Sequence, residues 1–389
     1  MSGYTFRVQH FAQFEKAEIT FGDLTVLVGP QATGKSLLLQ LFKLAQDAPA
    51  IKTALKRYGA VLKTPAQWAE AYFGEGFASV WDDSTRWHWE NRAQTLAQVT
   101  ESAGKSEQRV FYIPAQRALI FHQASWPRPF SDFRWQDPFV VRHFSDQIRL
   151  LLDAGLGGEE GVLFPKARRL HQTVRARLEH HIFRGAMLKI VVDRGQKRLM
   201  LELPRGERLP YLSWSTGQRE FTPLLLGAYW LLPLGPRNRR PHVRWVVIEE
   251  PEMGLHPTAI ADVLLLAVEL LRRGYKVILS THTPAVLDLL WAWKFIKQAP
   301  REMAPLYFRQ LFDLEKSPHA DELADMLWQK TFGAYFFQPE AQGEVRVQDI
   351  SSLEVLAEDE VLASWGHLTT FSGRAGDIVA EIVASIEGV

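Results

Sequence analysis

The chain has 389 residues, 47% apolar and 23% charged, a balance that excludes a disordered or collagen-like polymer and is ample for a real core. Cysteine is absent, which excludes a disulfide framework, a thiolate metal site and a thiol nucleophile. The net charge of +1 hides an asymmetry: residues 166–210 carry twelve Lys and Arg against four Asp and Glu, and residues 311–389 carry four against fifteen.

Residues 4–28 read as strands, with Phe6 and Val8 alternating with polar neighbours and Leu24–Val28 forming an apolar run that ends at glycine. After Gly34 the apolar spacing becomes helical through Leu37, Leu38, Leu41 and Leu44, and Pro49 places the helix end near Gln46. Residues 50–165, rich in tryptophan and proline, read as mixed helices and hairpins. An Arg-rich helix is expected over 167–183. The strands Leu188–Val192 and Leu199–Leu203 follow, joined through a glycine-containing turn at Asp193–Gln196. A helix over 218–232, a buried strand Trp245–Ile248, a helix over 259–273 and a strand Lys276–Ser280 then predict a parallel βαβ unit.

Between the third strand and the first helix lies Gly29-Pro30-Gln31-Ala32-Thr33-Gly34-Lys35-Ser36, a match to G-x-x-x-x-G-K-[ST] in the strand–helix context of a P-loop. Glycines let backbone N–H groups close around a polyphosphate, and the helix N-terminus adds partial positive charge. Lys35 is expected to reach the β- and γ-phosphates and Ser36 to ligate Mg²⁺, with Leu37 following in the helix. The strand Trp245–Ile248 ends in Glu249-Glu250-Pro251-Glu252, suited to a Walker B element: Glu249 for the metal shell, Glu250 to polarise the attacking water. His282 ends the next strand within hydrogen-bonding reach of a γ-phosphate, and Ser215-Thr216-Gly217-Gln218 opens a helix as either an N-cap or a second anion site.

In this order the motifs resemble the ABC-type ATPase head, in particular the OLD-like and chromosome-maintenance (SMC-like) ATPases. The run Glu249-Glu250-Pro251-Glu252-Met253-Gly254-Leu255-His256-Pro257 and the segment Tyr112-Ile113-Pro114-Ala115-Gln116-Arg117 point there. The resemblance implies an α/β ABC-type P-loop NTPase head with an inserted, mostly helical lobe and a C-terminal α/β extension. Its expected divisions are 1–46, 47–187, 188–295 and 296–389. It implies ATP and Mg²⁺ as cofactors and a homodimer that sandwiches ATP, with a higher oligomer left open. Ser215, Gly217 and Gln218 of one protomer would complete the γ-phosphate site of the other. His282 would be the switch histidine, and Gln116 a Q-loop residue sensing the metal. Thr216 departs from the family by replacing the first glycine of the signature, and Glu249 by replacing the usual aspartate.

OLD proteins also carry a nuclease module with an Asp-x-Asp motif. Residues 290–389 have none; Glu358-Asp359-Glu360 is the nearest acidic cluster and reads as an exposed helix face. The chain is therefore expected to be a standalone ATPase controlling a separate effector, a nuclease or toxin, in antiphage defence. The alternative is a DNA-repair or chromosome-maintenance ATPase acting on DNA itself. The Lys166–Arg184 stripe and the Arg237–Arg244 cluster read equally as DNA contacts or solvated surface. No apolar run approaches the ~20 residues of a membrane span, and no signal-peptide core opens the chain, so a cytoplasmic location is expected.

Overall fold

The computed structural model describes residues 4–354 apart from 91, 102–106, 122–125, 129–132, 160, 194 and 236–237, together with 360–366, 368, 374–375 and 378–379. Arg194, Arg237, Glu358 and Asp359 therefore lie outside the described residues.

The central sheet is built of β3 (Leu24–Val28), β6 (Val110–Ile113), β11 (Trp245–Glu249), β12 (Lys276–Thr281), β13 (Phe332–Pro339) and β14 (Val345–Asp349). Their order across it is β14-β13-β3-β12-β11-β6. All neighbours pair parallel except β14, which runs antiparallel along β13. The parallel strands are apolar on both faces, as a sheet covered on both sides requires. Val246 and Ile248 join the core on one side, and Trp245 and Val247 the core on the other.

The second of these cores is closed by α1 (Lys35–Arg57), α2 (Pro65–Phe73), α3 (Leu96–Glu101) and an antiparallel sheet. That sheet comprises β1 (Tyr4–Phe11), β2 (Phe14–Phe21), β4 (Arg86–Trp89) and β5 (Arg92–Gln94), in the order β2-β1-β4-β5. The first core is closed by α4 (Phe139–Asp153), α5 (Gln172–Leu178), α6 (Thr216–Leu231), α7 (Pro257–Arg272), α8 (Ala285–Ile296), α9 (Ala304–Phe312) and α10 (Pro318–Trp328). A second antiparallel sheet joins it: β7 (Val162–Phe164), β8 (Met187–Asp193), β9 (Gln196–Glu202) and β10 (Arg208–Pro210).

Three expectations change. Residues 47–187 are mostly helical among the described residues, yet they are not a lobe set apart: β6 is the edge strand of the central sheet and β4 pairs with β1. Residues 296–389 are not simply appended, because β13 pairs along the whole of β3. Both added strands are largely buried and could not stand outside a sheet. Finally, α1 continues through Pro49 to Arg57, because Ile51, Ala54 and Leu55 are buried and Asp47 is anchored within the fold. The Lys43 ammonium donates to Asp47 at 2.8 Å and to Val110 O at 2.7 Å, while Asp47 accepts from Arg109 N at 2.7 Å. This buried pair ties α1 to β6.

The tryptophans supply core more than platform. Trp87 and Trp245 are fully buried, and Trp89 and Trp245 pack with Phe21 and Phe42 between the N-terminal strands and α1.

Candidate functional site

The carboxyl ends of β3, β12 and β11 lie side by side, so their outgoing loops meet at one edge of the sheet. β3 leaves through Gly29, whose φ of +146° and approach to Phe337 leave no room for a side chain: a Cβ there would sit 2.7 Å from the Phe337 carbonyl. The loop turns through Ala32 at φ 61° and Gly34 at φ 80°, the N-cap of α1. No side chain caps that helix, so its first-turn N–H groups are left for an anion.

Lys35 is buried and folded back on the loop, donating to the carbonyls of Gly29 and Pro30 at 2.8 Å each. Thr33 donates to the same Pro30 carbonyl at 2.8 Å. Burial pushes the Lys35 ammonium down to about 8, partly opposed by the carboxylates of Glu250, Glu249 and Glu252. A cavity of about 480 Å³ opens over the loop, lined by Gln31–Leu37 together with Gln13, Glu250, Ser280 and His282.

Glu249 and Glu250 play different parts. Glu249 is fully buried, and burial raises its carboxyl above the usual range, opposed by the Ser36 hydroxyl, the Ala115 N–H and Tyr112. Its Oε2 accepts from Ala115 N at 3.0 Å, whereas Oε1 is buried with no hydrogen-bond partner among the described residues. An orphaned carboxylate oxygen beside a serine hydroxyl is a donor set that suits Mg²⁺, which takes one or two carboxylates plus phosphate oxygens. Glu250 is half-buried in the cavity wall, at a left-handed φ of 44°, with its Oε1 3.6 Å from His282 Nε2. Glu252 braces this wall, accepting from Thr281 Oγ1 at 2.7 Å and from His282 N at 2.8 Å.

Ser215 and Gln218 form a reciprocal capping box at the start of α6: Gln218 N donates to Ser215 Oγ at 3.2 Å and Ser215 N to Gln218 Oε1 at 3.1 Å. Gly217 packs on the loop after Glu250, where a Cβ would meet Gly254 O at 2.8 Å. Ser215 and Thr216 are exposed, and neither they nor Gly217 line the P-loop cavity of their own chain. Gln116 is also exposed and does not line it; the backbone of its neighbour Ala115 is what reaches Glu249.

Three site residues carry little or no signal in the sequence. Gln13, in the β1–β2 turn, donates to Ala32 O at 3.2 Å, and nothing in its local sequence marks it. Glu252 is visible there only as part of an acidic run. Arg117 is fully buried and donates to the carbonyls of Glu220, Glu249 and Glu250. Its place at the end of the Tyr112–Arg117 segment marks it in the sequence, but nothing there marks its role as a brace.

A family model described as "AAA domain, putative AbiEii toxin, Type IV TA system" matches residues 84–288, just over half of the chain. That span begins after the P-loop and takes in Ser215–Gln218, Glu249, Glu250 and His282. No curated protein matches the sequence. Among solved structures, the SMC head domain from Thermotoga maritima is similar at 12% identity, over 90% of this chain and 99% of that one, with a TM-score of 0.33. An SMC head bound to the C-winged helix domain of ScpA follows at 10% identity, 93% and 99% coverage and a TM-score of 0.40. The cbiO1 protein of Clostridium perfringens, part of the ABC transporter complex cbiONQ, is similar at 13% identity, 97% and 99% coverage and a TM-score of 0.34.

Proposed function

The chain belongs to this AAA-domain family, and from that premise we propose that it is a Mg²⁺-dependent ATPase whose ATP-gated dimer senses a trigger and controls a separate effector. The observation that carries the reading is the convergence of Lys35, Ser36, Glu249, Glu250 and His282 at the carboxyl ends of three adjacent parallel strands.

ATP would lie with its phosphates over the uncapped start of α1, drawing the Lys35 ammonium from the Gly29 and Pro30 carbonyls onto the β- and γ-phosphates. Ser36 and Glu249 would hold Mg²⁺, which would supply neutralisation of the phosphate charge. Glu250 would accept a proton from the attacking water, and His282, whose Nε2 lies 3.6 Å from that carboxylate, would contact the γ-phosphate. Because the cavity lacks Ser215 and Gly217 of its own chain, the signature of a second protomer is the natural completion of the site. Slow hydrolysis would suit such a switch.

Effector control in antiphage defence draws on the family's description, which names a toxin and a toxin–antitoxin system. The acidic surplus of residues 311–389 offers a basic partner a dock. The test is native mass determination of the Glu250→Gln protein expressed with its neighbouring genes, with and without Mg-ATP. An ATP-dependent assembly holding a second polypeptide supports the switch. A monomer unaffected by ATP sinks it, and a homodimer without partner removes the effector. Lys35→Ala should abolish tight ATP binding; retained binding would overturn the site.

A further inference from the structure

At the opposite edge of the central sheet, where the parallel strands begin, the fold brings two distant basic stretches of sequence together. One cleft of about 630 Å³ is lined by Arg168, Arg169 and Arg175 with Arg272 and Arg273 from the end of α7. A second, of about 690 Å³, holds Arg92, Arg109, Arg239, Arg244 and Lys276. The two adjoin: Arg273 lines the first and the next residue, Gly274, lines the second, where its carbonyl accepts from Arg239 at 2.8 Å. In a chain of net charge +1, these clefts present ten cations and two lining carboxylates, Asp23 and Glu90.

Internal pairing offsets only part of this charge: Lys276 pairs with Asp23 at 3.0 Å. Arg272 and Arg273 share Glu269, and Arg272 also meets Glu322. Arg169 and Arg239 donate to backbone carbonyls, which are neutral and leave each charge uncompensated. The side chains of Arg92, Arg109, Arg168 and Arg175 have no hydrogen-bond or ion-pair partner among the described residues, two in each cleft.

We propose that these joined clefts bind the phosphodiester backbone of a nucleic acid. Nine of the ten cations are arginines, whose planar fork pairs bidentately with phosphate oxygens. The surface is concave and strongly cationic, unlike the apolar helix face with which proteins lie on membranes. The second cleft lies at the strand starts, roughly 15 Å or about five residues of parallel strand from the P-loop, so the ligand is separate from ATP. This gives the switch proposed above the chemistry of its trigger, and rests on that reading only for what binding does.

The test is nucleotide-free: fluorescence anisotropy of a labelled DNA duplex with the full-length protein, across a salt series. Expected is binding that weakens steeply with salt. Arg92→Glu with Arg109→Glu, and separately Arg168→Glu with Arg175→Glu, should each weaken binding about tenfold or more and reduce the salt slope by about one for each phosphate no longer neutralised. Arg7→Glu, an exposed arginine outside the clefts, should leave it unchanged. Binding of a fluorescent ATP analogue at the other edge should be normal in every variant, which separates weakened DNA binding from misfolding and from failure of the ATPase reading. Wild-type affinity in both double variants would overturn the proposal. So would equal displacement of the duplex by polyglutamate, or equal loss of binding to phosphatidylserine vesicles.

Discussion

The buried guanidinium of Arg117 donates to the carbonyl of Glu250 at 2.9 Å, holding an acidic residue of the cavity wall whose backbone is left-handed. The same side chain reaches Glu249 O at 2.7 Å and Glu220 O at 2.9 Å, so one fork fastens the signature helix to the end of β11. Glu249 and Glu250 therefore inherit their placement from a residue that does not line the cavity.

Arg117→Lys tests this. One ammonium cannot span three carbonyls on two elements, and buried acceptors left unsatisfied cost about 1–3 kcal/mol. The variant should unfold at lower denaturant concentration and lose at least about tenfold in kcat, since a small misplacement of a general base is costly, while its ATP affinity stays near wild type. Unchanged kcat would remove Arg117 from any positioning role.

Lys35 sets a pH dependence on nucleotide binding. Its ammonium titrates at about 8 in the free protein because burial disfavours the charge. Bound phosphates would restore the proton, so above that pH binding must take one up. Affinity for ATP should be flat below about pH 8 and fall by up to tenfold per unit between about pH 8 and 9.5. Titration with a fluorescent ATP analogue measures this, and Lys35→Arg, which stays charged, should abolish the trend whatever its absolute affinity.

The packing of Gly217 against Gly254 predicts a different kind of sensitivity. A methyl at Gly217 would stand 2.8 Å from the Gly254 carbonyl, and one at Gly254 2.9 Å from Thr216. Gly217→Ala should cost about 1–3 kcal/mol through overpacking, read as a lower thermal midpoint. Thr216→Gly should lessen the cost of Gly254→Ala, whose methyl would meet Thr216, but not that of Gly217→Ala.

Lys43 and Asp47 are each 1% exposed, and Asp47 also accepts from the backbone of β6. Asp47→Ala leaves an uncompensated buried ammonium and unsatisfied N–H groups at Arg109 and Val110, and should destabilise by about 3–5 kcal/mol. Chemical denaturation checks it. Replacing both residues by apolar ones, Lys43→Met with Asp47→Leu, should recover part of the loss.

Much of the site is legible in the sequence because its chemistry is local. A P-loop needs a strand, a glycine turn and a helix start within a dozen residues, and Gly29–Ser36 supplies them in order. The βαβ run from Trp245 to Thr281 is legible for the same reason: apolar period and turn residues are properties of neighbours in the chain. The end of α1 is not, because Pro49 is a local stop signal, while burial of Ile51 and Leu55 and the Lys43–Asp47 tie to β6 are not local. Motif position favours Gln116, yet the chain turns so that Ala115 N reaches Glu249 and Gln116 faces outward.

By itself the sequence determined the P-loop, the acidic strand end and the histidine that follows, since each is a short pattern whose backbone geometry its own residues enforce. Only the tertiary structure decided that β6 and β13 complete the sheet, that Arg117 braces Glu249 and Glu250, and that two separate arginine stretches meet at the far edge. Those relationships join residues as far apart as 308 positions, as Asp23 and Thr331 are. Pairings at that range are chosen by how buried faces and charges best satisfy one another in the packed chain, which no window of sequence contains.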